Sequence, residues 1–235
     1  STRVRSSAAS DVYKRQDYVY ELYSQSNLPN HPCGLPVLGT RDRVGSYRHA
    51  DCADFPAEHY HAGNLTLAAA GNVDHDQLVT LAKRYFASMK PGKKEHRKLL
   101  QPQFSSGLFS QKRDIEQAHI VYGVPWLPLG NERRYIATVL TTILGGSMSS
   151  RLFQEVREKR GLVYSIYAMQ AGYQGVGQWC IYAGTRPSNT QEVMRLIRSE
   201  LDAIAQDYVS EDEISRNIDP VSYTHLRAHE TAANL

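Results

Sequence analysis

Cysteine is scarce in this chain. Only Cys33, Cys52 and Cys180 occur among 235 residues, and none forms a CxxC pair. Three widely spaced thiols argue against a disulfide framework and favour a reducing compartment; they read as small buried hydrophobes. Long apolar runs are also missing, which excludes a helix that crosses a bilayer. Charge of one sign is lacking where it would matter. The formal net charge is +3. All of it sits in Ser1–Gln16, where Arg3, Arg5, Lys14 and Arg15 outweigh Asp11. Pro220–Leu235 balances Arg227 against Glu230, so the middle is neutral and carries no basic footprint for nucleic acid.

Both ends lack a usable apolar period. STRVRSSAASDVYKRQ (residues 1–16) and PVSYTHLRAHETAANL (residues 220–235) resemble translated sequencing adaptors, and both are read as non-native tails. An N-terminus of that origin reports nothing about targeting. The second tail holds His225 and His229, four apart, with Glu230 beside them. H-x-x-E-H needs the acid at Ala228 and H-E-x-x-H needs it at Leu226, so no zinc motif is present there.

What is there divides in two around a cationic stretch without an apolar face, residues 90–104 (KPGKKEHRKLLQPQF), read as a linker. In the first domain, 17–89, the opening residues read as the end of a helix. A Pro- and Gly-rich loop follows at Asn27–Thr40. Arg41–His61 reads as partly helical, anchored by Phe55 and Tyr60. Glu58, His59 and His61 cluster, and a solvated face is the preferred reading over metal binding. Leu65–Ala70 alternates as a buried strand ending at Gly71. Asp74 and Gln77 stand at capping-box spacing before a helix that lines up Leu78, Leu81, Ala82, Tyr85, Phe86 and Met89.

The second domain, 105–219, begins with strand candidates at Phe109–Arg113 and Ala118–Val124, the latter broken by Pro125. A helix capped by Asn131 turns Tyr135, Ile136, Val139, Leu140, Ile143 and Leu144 inward. Two long strands, Leu162–Ala171 and Gly177–Ala183, flank a glycine turn. The next helix buries Val193, Ile197, Leu201 and Ile204, and Ser210 starts the last one. LTLAAAGNVDHDQLVTLAKRYF and WCIYAGTRPSNTQEVMRLIRSEL share one grammar: strand, glycine, cap, amphipathic helix. The fold class expected is α+β, as two related α/β sandwich units with antiparallel-rich sheets and helices on one face.

Between the two strand-bearing halves of the second domain lies GGSMSSRLFQEVREKRGLVY, residues 145–164. Ser147 is placed to cap a helix. Leu152, Phe153 and Val156 share one face, the cations gather late, and Gly161 stops the helix. A strand then begins, so Arg157 and Tyr164 arrive near one corner.

This stretch resembles the C-terminal-half signature of the insulinase/pitrilysin zinc metallopeptidases, the inverzincins, G-G-x-x-S-S-R-L-F-x-x-(I/V)-R-E-x-x-G-L-x-Y-x-(I/V). Asn27–Thr40 (NLPNHPCGLPVLGT) is similar to the family's H-P-x-G-x-P-x-L-G segment. The resemblance implies a fold of two similar halves closing on one site, and peptides or unfolded polypeptides as substrate. It implies Zn2+ in the intact member, held by two histidines and a distal glutamate that would precede Asp17 and are not in this chain. Arg157 and Tyr164 match the arginine and tyrosine that reach the substrate across the site, for substrate-carbonyl and oxyanion binding. No residue here is assigned to a metal. The expected protein is thus an internal piece of a processing-peptidase-like metalloendopeptidase, inactive alone, whose partner is the missing zinc-bearing region or a homologous subunit. A non-catalytic or structural partner subunit is the alternative, though the short Gly145–Ser150 loop argues against the regulatory processing subunit. A generic α+β binding domain is a third.

Overall fold

The computed structural model describes residues 8–93 and 99–218, with side chains from Asp17 onward. It divides into two compact units. One joins the residues up to Val37 to those from Leu99 onward; the other spans Leu38–Lys98. Asp17–Val37 lies in the same unit as the described residues from Leu99 on. The tail at 220–235 and its histidine pair lie outside the described residues. The first helix, α1 (Ala8–Asn27), begins inside the stretch read as the other tail.

The larger unit is built on a three-stranded antiparallel sheet. Its strands are β1 (Ala118–Trp126), β2 (Val163–Tyr173) and β3 (Val176–Thr185), in the order β1-β3-β2. β3 is central and buried at every position, which explains why it reads as an apolar run rather than an alternation. Trp179, Ile181 and Ala183 face α5 (Arg134–Gly145) and α6 (Thr190–Asp207) in one core with Leu144, Leu152, Val156, Ile166, Val193 and Ile197. The opposite face receives α1. There Tyr20 Oη donates to Tyr167 Oη at 2.8 Å, and the Tyr20 and Tyr182 rings lie 5.8 Å apart. Sequence places β1 only to Val124, yet it runs through Pro125 to Trp126. Pro125 sits on an edge strand, where a missing N–H is tolerated.

Several expectations change. Residues 109–113 form no strand. α5 faces the sheet with Ala137, Thr141 and Leu144, while Tyr135 and Ile136 are exposed by 53% and 71%. Thr141 turns inward because its hydroxyl meets two needs. It donates to the Ala137 carbonyl at 2.7 Å and accepts from Trp179 Nε1 at 3.0 Å. Gly145 ends α5 against β2, where a Cβ would stand 2.4 Å from the Ala168 amide. Only glycine allows that approach.

The smaller unit holds α2 (Arg41–Ser46), α3 (His49–His59) and α4 (His75–Phe86), none with a buried residue. Asp74 caps α4 by accepting from the Gln77 amide at 2.8 Å, as the spacing predicts. Leu65–Ala70 is not a strand, and Leu65 and Leu67 are exposed. Phe55 and Tyr60 are exposed rather than anchoring. An alternating segment becomes a strand only when a neighbour supplies the ladder, and the described residues of this unit supply none. Of the cysteines, Cys180 is buried as expected, while Cys52 is exposed.

A last helix, α7, covers residues 211–218. Ser210 and Glu213 form a reciprocal cap at its start. Arg151 grips Glu213 with two guanidinium nitrogens, both at 2.7 Å. That pairing and the Ser210 bonds hold the Glu213 carboxyl down at about 2.

Two outcomes follow. Leu144→Ala is expected to cost about 2–5 kcal/mol of unfolding free energy by leaving a cavity, and Ile136→Ala less than about 0.5 kcal/mol. Urea unfolding followed by tryptophan fluorescence separates them, and equal costs contradict this placement of α5. For Glu213 the depressed value means the ionic tie stabilises above the ordinary carboxylate range and is lost as pH falls toward 2. Glu213→Gln should therefore lower stability by about 1 kcal/mol near neutrality, and the difference from the parent should vanish between about pH 5 and pH 2.

Candidate functional site

The signature stretch folds as a turn that hands a wide helix to a strand. Ser147 does not cap it through its hydroxyl. Its carbonyl instead accepts from the Ser150 amide at 3.1 Å and the Ser150 hydroxyl at 2.6 Å. Phe153–Glu158 is π-helical, with the Lys159 amide reaching back to the Gln154 carbonyl at 3.0 Å. Such widened turns recur at functional sites. Leu152 and Val156 are fully buried and fix the turn to the sheet core. Glu155 is paired with Lys159 and Arg160.

Arg157 projects from this turn into solvent. Its guanidinium lies over the Phe153 ring, 4.8 Å from the centroid, a cation–π contact that restrains a flexible side chain without neutralising it. Gly161 has φ +60, the left-handed conformation its position demands. Its amide donates to the Arg157 carbonyl at 2.9 Å, and the Leu162 amide donates to the Val156 carbonyl at 3.1 Å.

Tyr164 is the second residue of β2 and is 52% exposed. Its placement comes from a break in register. Val163 pairs with Thr185 and Ser165 with Gly184, so Tyr164 is the extra residue of a bulge. Val163 belongs to the core face, and regular alternation resumes with Ile166 inward. The bulge is the local reason Tyr164 joins neither face. Bulges beside active sites re-aim a side chain in this way. Arg157 and Tyr164 thus leave opposite ends of one short hydrogen-bonded turn, and neither is sealed inside.

β2 is an edge of the sheet among the described residues, with Tyr164, Met169 and Tyr173 exposed along it. Groups nearby on the α1 face are unsuited to acid–base work. Burial pushes the Tyr20 and Tyr23 phenols well above their ordinary range, and the Cys180 thiol up to about 12. No spacing rule points to these tyrosines, because α1 and β2 meet only through the fold. Phe153 as a partner of Arg157 is legible, since residues four apart share a helical face. His59 ends α3 rather than starting a strand with His61. No group of three or more His, Cys, Asp or Glu side chains that could hold a metal exists among the described residues. These residues therefore do not fit a resident zinc. No described helix is long and apolar enough to cross a membrane.

Comparison with known proteins places this architecture. A family model described as "Peptidase M16 inactive domain" matches residues 47–220. An uncharacterized zinc protease of Streptomyces coelicolor, SCO5738, is 39% identical over 209 residues, covering 86% of this chain and 46% of the relative. The uncharacterized zinc protease YmxG of Bacillus subtilis is 33% identical over 201 residues, covering 86% and 49%. The chain spans about half the length of these curated relatives. A peptidase M16 inactive domain from Pseudomonas fluorescens superposes with a TM-score of 0.74 at 21% identity, over 92% of this chain and 56% of that one. A chain of complex III from Candida albicans does so at 0.74 and 19%, over 95% and 58%. Both structures share the fold. With the α+β sheet, the signature turn and a matched model spanning most of its residues, the chain belongs to the peptidase M16 family, the insulinase/pitrilysin group of metallopeptidases.

Proposed function

We propose that this chain supplies the substrate-gripping side of a zinc-dependent metalloendopeptidase that cuts peptides or unfolded polypeptides, in a bacterial cytoplasm. The observation that carries the reading is the bulged, half-exposed Tyr164 at the start of an edge strand, joined through one turn to the exposed Arg157. An extended peptide adds to the outer edge of β2 through main-chain hydrogen bonds. The Tyr164 hydroxyl donates to the scissile carbonyl oxygen as negative charge develops there. Arg157 donates to a neighbouring substrate carbonyl and fixes the orientation of the scissile bond. The metal and its ligands belong to a region outside this chain, on the same polypeptide or on a homologous subunit. The two-domain division, with a linker at 90–104, remains part of the proposal.

A non-catalytic or structural subunit is the second reading. The fold this chain shares with a chain of complex III from Candida albicans keeps this reading open. The coding sequence upstream of Asp17 separates the two: H-x-x-E-H there makes an enzyme, and its absence makes a partner. The chain alone should bind no stoichiometric zinc and cleave nothing. In the intact protein, Tyr164→Phe is expected to lower kcat roughly 100- to 1000-fold, with KM little changed. Peptide-cleavage kinetics measure this, and an unchanged kcat removes Tyr164 from the mechanism.

A further inference from the structure

Thr185, the last residue of β3, is fully buried and polar. It pairs with Ala118 on one side and Val163 on the other. Its hydroxyl donates to the Leu162 carbonyl at 2.6 Å. A carbonyl leading into a strand is ordinarily met by a backbone amide of the neighbour. Here a side chain does that work, because the register slips directly afterwards.

Leu162 is thereby held from both sides. Its amide donates to the Val156 carbonyl in the turn that carries Arg157, and its carbonyl accepts from Thr185 on the sheet. Its amide and carbonyl thus tie the wide helix to the central strand. Gly161 before Leu162 takes a left-handed conformation; Val163 after it pairs with Thr185 and is buried in the core, and Tyr164 beyond that is unpaired in the bulge. The β-branched side chain of threonine has few χ1 choices, so its hydroxyl is presented in a fixed direction.

We propose that Thr185 is a positioning residue. Its buried hydroxyl sets the angle between the Arg157-bearing turn and the bulge that frees Tyr164, and so fixes the spacing of the two groups on a bound peptide. The functional half of this inference rests on the reading of Arg157 and Tyr164 given above; the positional half does not.

Thr185→Val removes the hydroxyl at nearly constant shape, and Thr185→Ser keeps it. In the 235-residue chain, amide hydrogen exchange and the ring signal of Tyr164, identified by its loss in Tyr164→Phe, are read by NMR. Thr185→Val should lose protection at Leu162 by at least tenfold and shift or split the Tyr164 ring signal. Ile181 and Ala183 should keep their protection, and Thr185→Ser should restore the parent pattern. If Thr185→Val does not fold, Thr185→Cys, a weaker donor of similar size, takes its place. An unmoved Tyr164 signal, or a loss of protection spread evenly along β3, overturns the proposal. In the intact enzyme, Thr185→Val should lower kcat at least tenfold with KM held. Should Tyr164→Phe leave kcat unchanged while Thr185→Val still moves the Tyr164 ring, the catalytic reading fails and the positional one stands.

Discussion

The burial of β3 on both faces is the constraint on which the rest of the larger unit depends. A strand sealed along its whole length must give every amide and carbonyl to a neighbour. It therefore needs β1 on one side and β2 on the other, and it needs cover above and below. α5, α6 and the wide turn at Phe153–Glu158 cover one face. The phenols of α1 cover the other, with Tyr20 bonded to Tyr167. Trp179 shows how tightly polar needs are met there, since its indole N–H finds Thr141 inside the core.

From that fixed strand the candidate site follows in few steps. β3 ends at Thr185, Thr185 meets Leu162, and Leu162 links the Arg157 turn to the bulge at Tyr164. Most of the signature is scaffold. Leu152 and Val156 anchor, Gly145 permits close packing, Arg151 ties down α7 through Glu213, and Phe153 steadies Arg157. Lys159 and Arg160 are engaged by Glu155, while Arg157 and Tyr164 face outward with donors suited to a carbonyl.

Legibility differed along the chain for physical reasons. The second domain was readable because its segments meet their own partners. The strand at Gly177–Ala183, the glycine at 161 and the stripe Val193, Ile197, Leu201 and Ile204 all express local rules that the packing respects. On α5 the inward Leu140, Ile143 and Leu144 are legible, but Thr141 looks polar in sequence and becomes an interior hydrogen-bond partner only once Trp179 stands opposite. LTLAAA was misread for the reverse reason: it obeys the strand rule, but no described neighbour completes its ladder. The bulge, Thr185 and the tyrosines over the sheet depend on register and on contacts between distant segments. No spacing in one dimension contains them.

The most direct measurement is an NMR titration of the 235-residue chain with an unstructured, uncharged peptide. The account predicts saturable shifts that appear together at the Arg157 side chain, the Tyr164 ring and the outward amides of β2. Shifts confined to β1 or to residues 38–93, or none at millimolar peptide, would contradict it.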